Sequence, residues 1–88
     1  MKIKNGYVKR TINSRTIIVP LADCLNTVSG IIELNESAAF LWDQLERDTC
    51  ENELISALVK KYLIDTYTAT EAVTAFLDHL IKYDILQV

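Results

Sequence analysis

The hydrophobic positions of this chain change period near residue 34. Before it, two runs rich in β-branched and aromatic residues, Tyr7-Val8-Lys9-Arg10-Thr11-Ile12 and Arg15-Thr16-Ile17-Ile18-Val19, flank Asn13-Ser14. Such runs suit a pleated, half-buried surface, and two polar residues between them predict a tight hairpin. Pro20 has no N–H to give to a ladder and ends the second strand. Leu21 to Ser29 reads as a loop, and Gly30-Ile31-Ile32-Glu33-Leu34 as a short third strand.

After Leu34 the period is helical. Asn35 predicts an N-cap, because its side-chain oxygen can accept an otherwise orphaned backbone N–H, and Glu36 complements the helix dipole. Leu34, Ala38, Leu41, Trp42 and Leu45 fall on one stripe, giving a first helix over residues 36–47. Thr49 is the expected cap of a second helix, with Leu54, Ile55, Leu58, Val59 and Tyr62 as its stripe. Thr68 and Glu71 have capping-box spacing, so a third helix is expected over residues 68–83, burying Val73, Phe76, Leu77, Leu80 and Ile81. Ile85, Leu86 and Val88 form an apolar tail expected to fold back on the core.

None of these helices is long enough to be stable alone. Each has one apolar stripe and the sheet has an apolar face. The economical packing is an α+β domain in which a three-stranded antiparallel sheet is followed by a three-helix bundle, order βββααα.

The 88 residues allow one domain, spanning 1–88, and with 50% hydrophobic residues, two Gly and one Pro the chain is expected to fold. Its longest apolar runs are a few residues, too short for a membrane span. Met1-Lys2-Ile3-Lys4-Asn5 has basic character without an apolar stretch behind it, so no secretory signal is predicted and a cytoplasmic location is the expectation. Cys24 and Cys50 stand 26 positions apart, and two buried or half-buried thiols are expected rather than a disulfide. With a single histidine they supply too few ligands for structural zinc.

Charge is unevenly placed. Residues 1–34 carry Lys2, Lys4, Lys9, Arg10 and Arg15 against Asp23 and Glu33, whereas residues 35–88 carry four bases against ten acids. Solvated faces explain such a split, as does a basic hairpin beside an acidic helical half that orients a charged peptide.

Catalytic patterns are missing. His79, the one histidine, flanks the apolar stripe of the third helix and reads as a boundary residue with no proton-transfer role. No Ser or Cys has an evident partner for activation, and no glycine-rich phosphate cradle occurs. The sequence therefore predicts no enzyme and implies no cofactor and no metal.

The stretch Leu34-Asn35-Glu36-Ser37-Ala38-Ala39-Phe40-Leu41-Trp42 is more specific. It resembles the L-N-x-[ST]-A-x-x-[IL]-W signature of the pyrroloquinoline-quinone synthesis protein D family, the PqqD-like peptide chaperones. A Thr-led second helix ending in an aromatic, Thr49 to Tyr62, and then Val73-x-x-Phe76-Leu77-x-x-Leu80, follow in the family's order, so the similarity runs from Tyr7 to Leu86. The resemblance implies a winged-helix-like domain of the kind called a RiPP recognition element. Such domains bind the leader segment of a ribosomally made precursor peptide and present it to a maturation enzyme, often a radical-SAM enzyme. In the family the leader adds as a strand beside the third strand, in a groove walled by the third helix. Two positions depart from the pattern. Ala72 stands where members often carry an acid, and Asp84 where many carry Gly.

That binding mode has its own physical logic. A third strand at the sheet edge leaves unpaired N–H and C=O groups that an extended peptide satisfies. The expected peptide-binding residues are therefore Gly30, Ile31, Ile32, Glu33 and Leu34 on the strand and Ala72, Ala75, Phe76, His79 and Tyr83 on the helix. Small side chains at 72 and 75 would admit a peptide closely. Ile32, Leu34 and Phe76 also suit ordinary core, and Trp42 is assigned to core.

Two other readings compete. A winged-helix DNA binder needs Lys and Arg near the start of its recognition helix, but Thr68-Ala69-Thr70-Glu71 has none, and a pI near 5.0 opposes phosphate binding. A general interaction or assembly domain, dimerising by exchange of the first hairpin, is the second.

Overall fold

The computed structural model describes residues 1–21 and 32–87. The first hairpin joins β2 (Tyr7–Ile12) to β3 (Arg15–Pro20) through Asn13 and Ser14, whose φ angles are 51° and 66°. Two successive residues at positive φ match the right-handed twist of the flanking strands, and Asn carries that conformation more readily than most residues. Before the hairpin lies β1 (Lys2–Ile3), and after it β4 (Ile32–Leu34). The helices are α1 (Glu36–Leu45), α2 (Glu51–Tyr62) and α3 (Thr66–Lys82), and β5 (Leu86–Gln87) follows them.

The three-stranded antiparallel sheet has the order β2-β3-β4, with Lys9 opposite Ile18, Ile18 opposite Ile32 and Thr16 opposite Leu34. Side chains of a strand alternate between faces, so this register puts Ile18, Ile32 and Leu34 on one face, where all three are buried. That face meets Leu41, Trp42 and Leu45 of α1, Leu54 and Leu58 of α2, and Ala69, Val73, Phe76, Leu77 and Leu80 of α3 in one cluster. Each buried Leu, Ile or Phe contributes about 1.5–3 kcal/mol. The βββααα arrangement is thus observed, with one addition. β1 pairs with β5, Ile3 opposite Leu86, and the Lys4 N–H donates to the Ile85 carbonyl at 2.8 Å. Two-residue strands leave no periodic trace in a sequence, so this small second sheet was not foreseen. The apolar tail does fold back: Ile85 and Leu86 are buried, while Val88 lies outside the described residues.

Helix boundaries depart from expectation at the capping residues. α1 ends at Leu45. The N-cap of α2 is Cys50, without a side-chain bond, and the Thr49 hydroxyl instead donates to the Glu53 carboxylate at 2.7 Å. Cys50 is an exposed free thiol rather than a buried one, and Cys24 lies outside the described residues. α3 starts at Thr66, two residues before the expected start, because Asp65 accepts the Thr68 N–H at 2.6 Å. Thr68 is a donor in the first turn and not the cap. Ile81, placed by periodicity on the buried stripe, is exposed.

α3 ends at Lys82, so Tyr83 is its C-cap rather than its last helical residue. Asp84 then takes φ 58°, its N–H donates to the Ile81 carbonyl at 3.0 Å, and the Ile85 N–H reaches the Leu80 carbonyl at 2.9 Å. This is the Schellman closure, with Asp where Gly is most at ease. The Asp84 carboxylate also pairs with Lys4 Nζ at 2.7 Å.

Two outcomes follow. Asp84→Gly relieves a left-handed cost of about 1 kcal/mol and gives up an exposed ion pair contributing about 0–1 kcal/mol, so denaturant unfolding should show unchanged or slightly raised stability, whereas Asp84→Val should lower it by about 1–2 kcal/mol. The Asp65 carboxyl is held below its usual 3.8, first by the Thr68 N–H and then by the Thr68 hydroxyl. A carboxyl lowered on folding stabilises the fold above its unfolded value, and that stabilisation disappears as pH falls through the lower folded value. Thermal melts of Asp65→Asn should therefore lose less between neutral pH and about pH 3 than wild type.

Candidate functional site

β4 is an edge strand: β3 covers one side, and among the described residues no strand covers the other. Its hold on the molecule comes from Ile32 and Leu34, each less than a tenth exposed, while Glu33 between them faces out. The strand cannot continue because the next residue, Asn35, caps α1. Asn35 accepts the Ala38 N–H at 2.8 Å and the Ser37 hydroxyl at 3.1 Å, so strand, cap and first helical turn form one continuous wall.

Facing that wall is α3. Between them opens a groove of about 300 Å³, lined by Glu33, Leu34, Asn35, Ser37, Ala38 and Leu41 on one side and by Ala72, Ala75, Phe76 and His79 on the other. Positions 72, 75/76 and 79 follow one another at helical spacing and form one stripe. Ala38, Ala72 and Ala75 keep the space open, since a longer side chain at any of them would fill it. Leu34, Leu41 and Phe76 give it an apolar floor, and Glu33, Asn35, Ser37 and His79 supply polar groups. The groove suits an extended peptide with apolar side chains on one face.

The expected site residues therefore divide into four groups. Glu33, Leu34, Ala72, Ala75, Phe76 and His79 come together around the groove. Ile32 is turned into the core beneath it. Tyr83 stands behind the groove rather than in it: its ring packs edge-on against His79, with centroids 4.9 Å apart, and it also touches the core. Gly30 and Ile31 lie outside the described residues. The sequence marks Asn35 only as a cap, Ala38 only as part of the stripe and Ser37 only as part of the family signature. The signal that could have found them is the same L-N-x-S-A stretch, since a cap at a strand's end necessarily borders whatever lies along that strand's open edge.

A larger hollow of about 420 Å³ lies between the Ile3–Lys9 segment and Trp42 and Glu46 of α1. Its two lysines are already engaged, Lys4 with Asp84 and Lys9 with Asp43. The groove beside β4 is thus the better candidate, because it combines an apolar floor with an open strand edge.

The family model for coenzyme PQQ synthesis protein D (PqqD) matches residues 15–86. Among solved structures, one described as TbiB1 in complex with the TbiA(beta) leader peptide has a similar fold, with a TM-score of 0.77 at 22% sequence identity, covering 99% of this chain and 95% of that one. No curated protein sequence matches the chain.

Asn35 should be replaceable by Ser or Asp with little effect. Asn35→Ala, which removes the acceptor for both Ala38 and Ser37, should cost about 1 kcal/mol in denaturant unfolding.

Proposed function

The chain belongs to the coenzyme PQQ synthesis protein D family, and on that footing we propose that it is a non-catalytic peptide chaperone of the cytoplasm. It takes up the leader segment of a ribosomally made precursor peptide as a strand added to β4, against α3, and presents that peptide to a modifying enzyme. A radical-SAM enzyme is the class that the family resemblance suggests. The observation that carries this reading is the groove itself, with a strand edge open on one side and a stripe of alanines holding the facing helix clear. The similarly folded TbiB1, solved with a leader peptide, supports it.

Energetics decide how the groove must work. β4 has three described residues, which can offer a guest about two to four backbone hydrogen bonds, since alternate residues point outward. At about 0.5–1.5 kcal/mol each these roughly offset the few kcal/mol needed to order a disordered segment. Net affinity then comes from apolar leader side chains reaching Leu34, Leu41 and Phe76. On this reading Glu33, Leu34, Ala72, Ala75, Phe76 and His79 touch the peptide, Ile32 sets the strand's register, and Tyr83 steadies His79.

Titration with the precursor peptide encoded beside this gene should show micromolar or tighter binding and move the amides of residues 32–34 and 72–79. Shifts confined to another face would sink the groove as the site. Ala75 is exposed, so Ala75→Trp should leave the melting temperature within a few degrees of wild type while blocking the groove. Leader affinity should fall about tenfold or more, the loss of roughly 1.4 kcal/mol or more of contact.

A further inference from the structure

The far half of the β2–β3 hairpin has chemistry that the groove does not use. Every residue from Arg10 to Arg15 is exposed. Alternation and register place Val8, Arg10 and Ile12 of β2 beside Val19, Ile17 and Arg15 of β3 on the face turned away from the core. Val8, Ile17 and Val19 are half-buried there, and Ile12 is 52% exposed. The result is an apolar strip bordered by two arginines.

Those arginines are poorly served by their own molecule. Arg10 lies opposite Ile17 and Arg15 opposite Ile12, so the two are diagonal neighbours about 7–8 Å apart, a like-charge arrangement that weakens the hairpin. Among the described residues Arg10 has no ion pair. Arg15 Nε comes no nearer than 3.8 Å to Glu33, and both side chains are more than half exposed. A face that combines exposed Ile12 with Arg10 unneutralised and Arg15 held only by a long, exposed pair is unfavourable for an isolated chain and favourable against an acidic, partly apolar counterpart.

We propose that this outer face of the hairpin, centred on Arg10 and Ile12, docks a protein partner that presents carboxylates around an apolar patch, and that the partner is the modifying enzyme. The partner's identity rests on the chaperone reading; the surface does not. A nucleic acid fits less well, because phosphates have no use for the strip of Val8, Ile12, Ile17 and Val19, and ten acids in residues 35–88 repel a polyanion. A second copy fits less well too. Hairpin against hairpin sets arginine against arginine. Glu33 shares this face opposite Ile17 and also lines the groove between β4 and α3, so a partner docked here stands beside the leader.

The test uses the full chain immobilised, the modifying enzyme encoded beside this gene as the probe, and the variants Arg10→Glu and Ile12→Ser, singly and together. Wild type should bind the enzyme without any precursor present, more weakly as salt rises from about 50 to about 300 mM. The double variant should lose about tenfold or more in enzyme affinity. Its melting temperature should stay within a few degrees of wild type, and its leader affinity within about twofold. Four results overturn the proposal: wild type fails to bind the enzyme; the double variant binds as tightly as wild type; an Arg10-dependent oligomer replaces enzyme binding; or Arg10-dependent retention on duplex DNA replaces it. A chain that binds the enzyme through Arg10 but takes no leader supports the docking surface and sinks the chaperone reading instead.

Discussion

A three-residue strand cannot hold its place by ladder bonds alone, and the candidate site depends on how β4 is held nonetheless. Two of its three side chains, Ile32 and Leu34, are sunk into the core, and each contributes about 1.5–3 kcal/mol against about 0.5–1.5 kcal/mol for each of its few hydrogen bonds. Pairing with β3 on one side and apolar anchorage from beneath hold the strand, and among the described residues its far edge pairs with no other strand. Asn35 then ends the strand abruptly by capping α1. The chain turns into a helix before it could grow longer, and a short edge of this kind stays available to a guest without inviting uncontrolled sheet extension.

The facing wall has further supports besides the sheet. α3 packs chiefly on α2, through the cluster that includes Leu54, Leu58, Val73 and Leu77. Both its ends are tied: Asp65 closes the first turn, and the Schellman closure at Asp84 steers Ile85 and Leu86 into the pairing with β1. A helix held this way does not need to settle onto the strand, so alanines can line the space between them without the space collapsing. Close-packed interiors normally eliminate such gaps. Here the gap persists because the surrounding contacts are already satisfied.

How far the sequence carried the reading follows from the range of each signal. Stripes of apolar residues are long and redundant, so the three helices, the hairpin and the core around Trp42 were all legible. Caps are single residues, and competing candidates stood close together: Asp65 beside Thr68, Cys50 beside Thr49. Geometry alone chose between them. The β1–β5 pairing was illegible because two residues carry no period. In the groove, Glu33, Leu34, Ala72, Ala75, Phe76 and His79 could be placed by combining an edge strand with one helical stripe. Tyr83 could not, because residues 79 and 83 share a helical face only while the helix lasts, and it ends at Lys82. The Tyr83 ring therefore packs edge-on against His79 instead of reaching past it.

The uneven charge seen in the sequence is only partly consumed by the fold. Lys4 reaches Asp84 and Lys9 reaches Asp43, so two bases of the N-terminal third are joined to acids of the helical part. These pairs are exposed or half-exposed and contribute little to stability individually. Their consequence is positional. They neutralise the root of the hairpin where it meets the helices, and leave Arg10 and Arg15 at its far end uncompensated except by the long contact with Glu33. Neutralisation varies along the hairpin because its root lies within reach of acids of the helical part, while its exposed tip has only Glu33 nearby. A root stitched to the body and a tip left basic is the arrangement expected of an arm whose outer end meets another molecule.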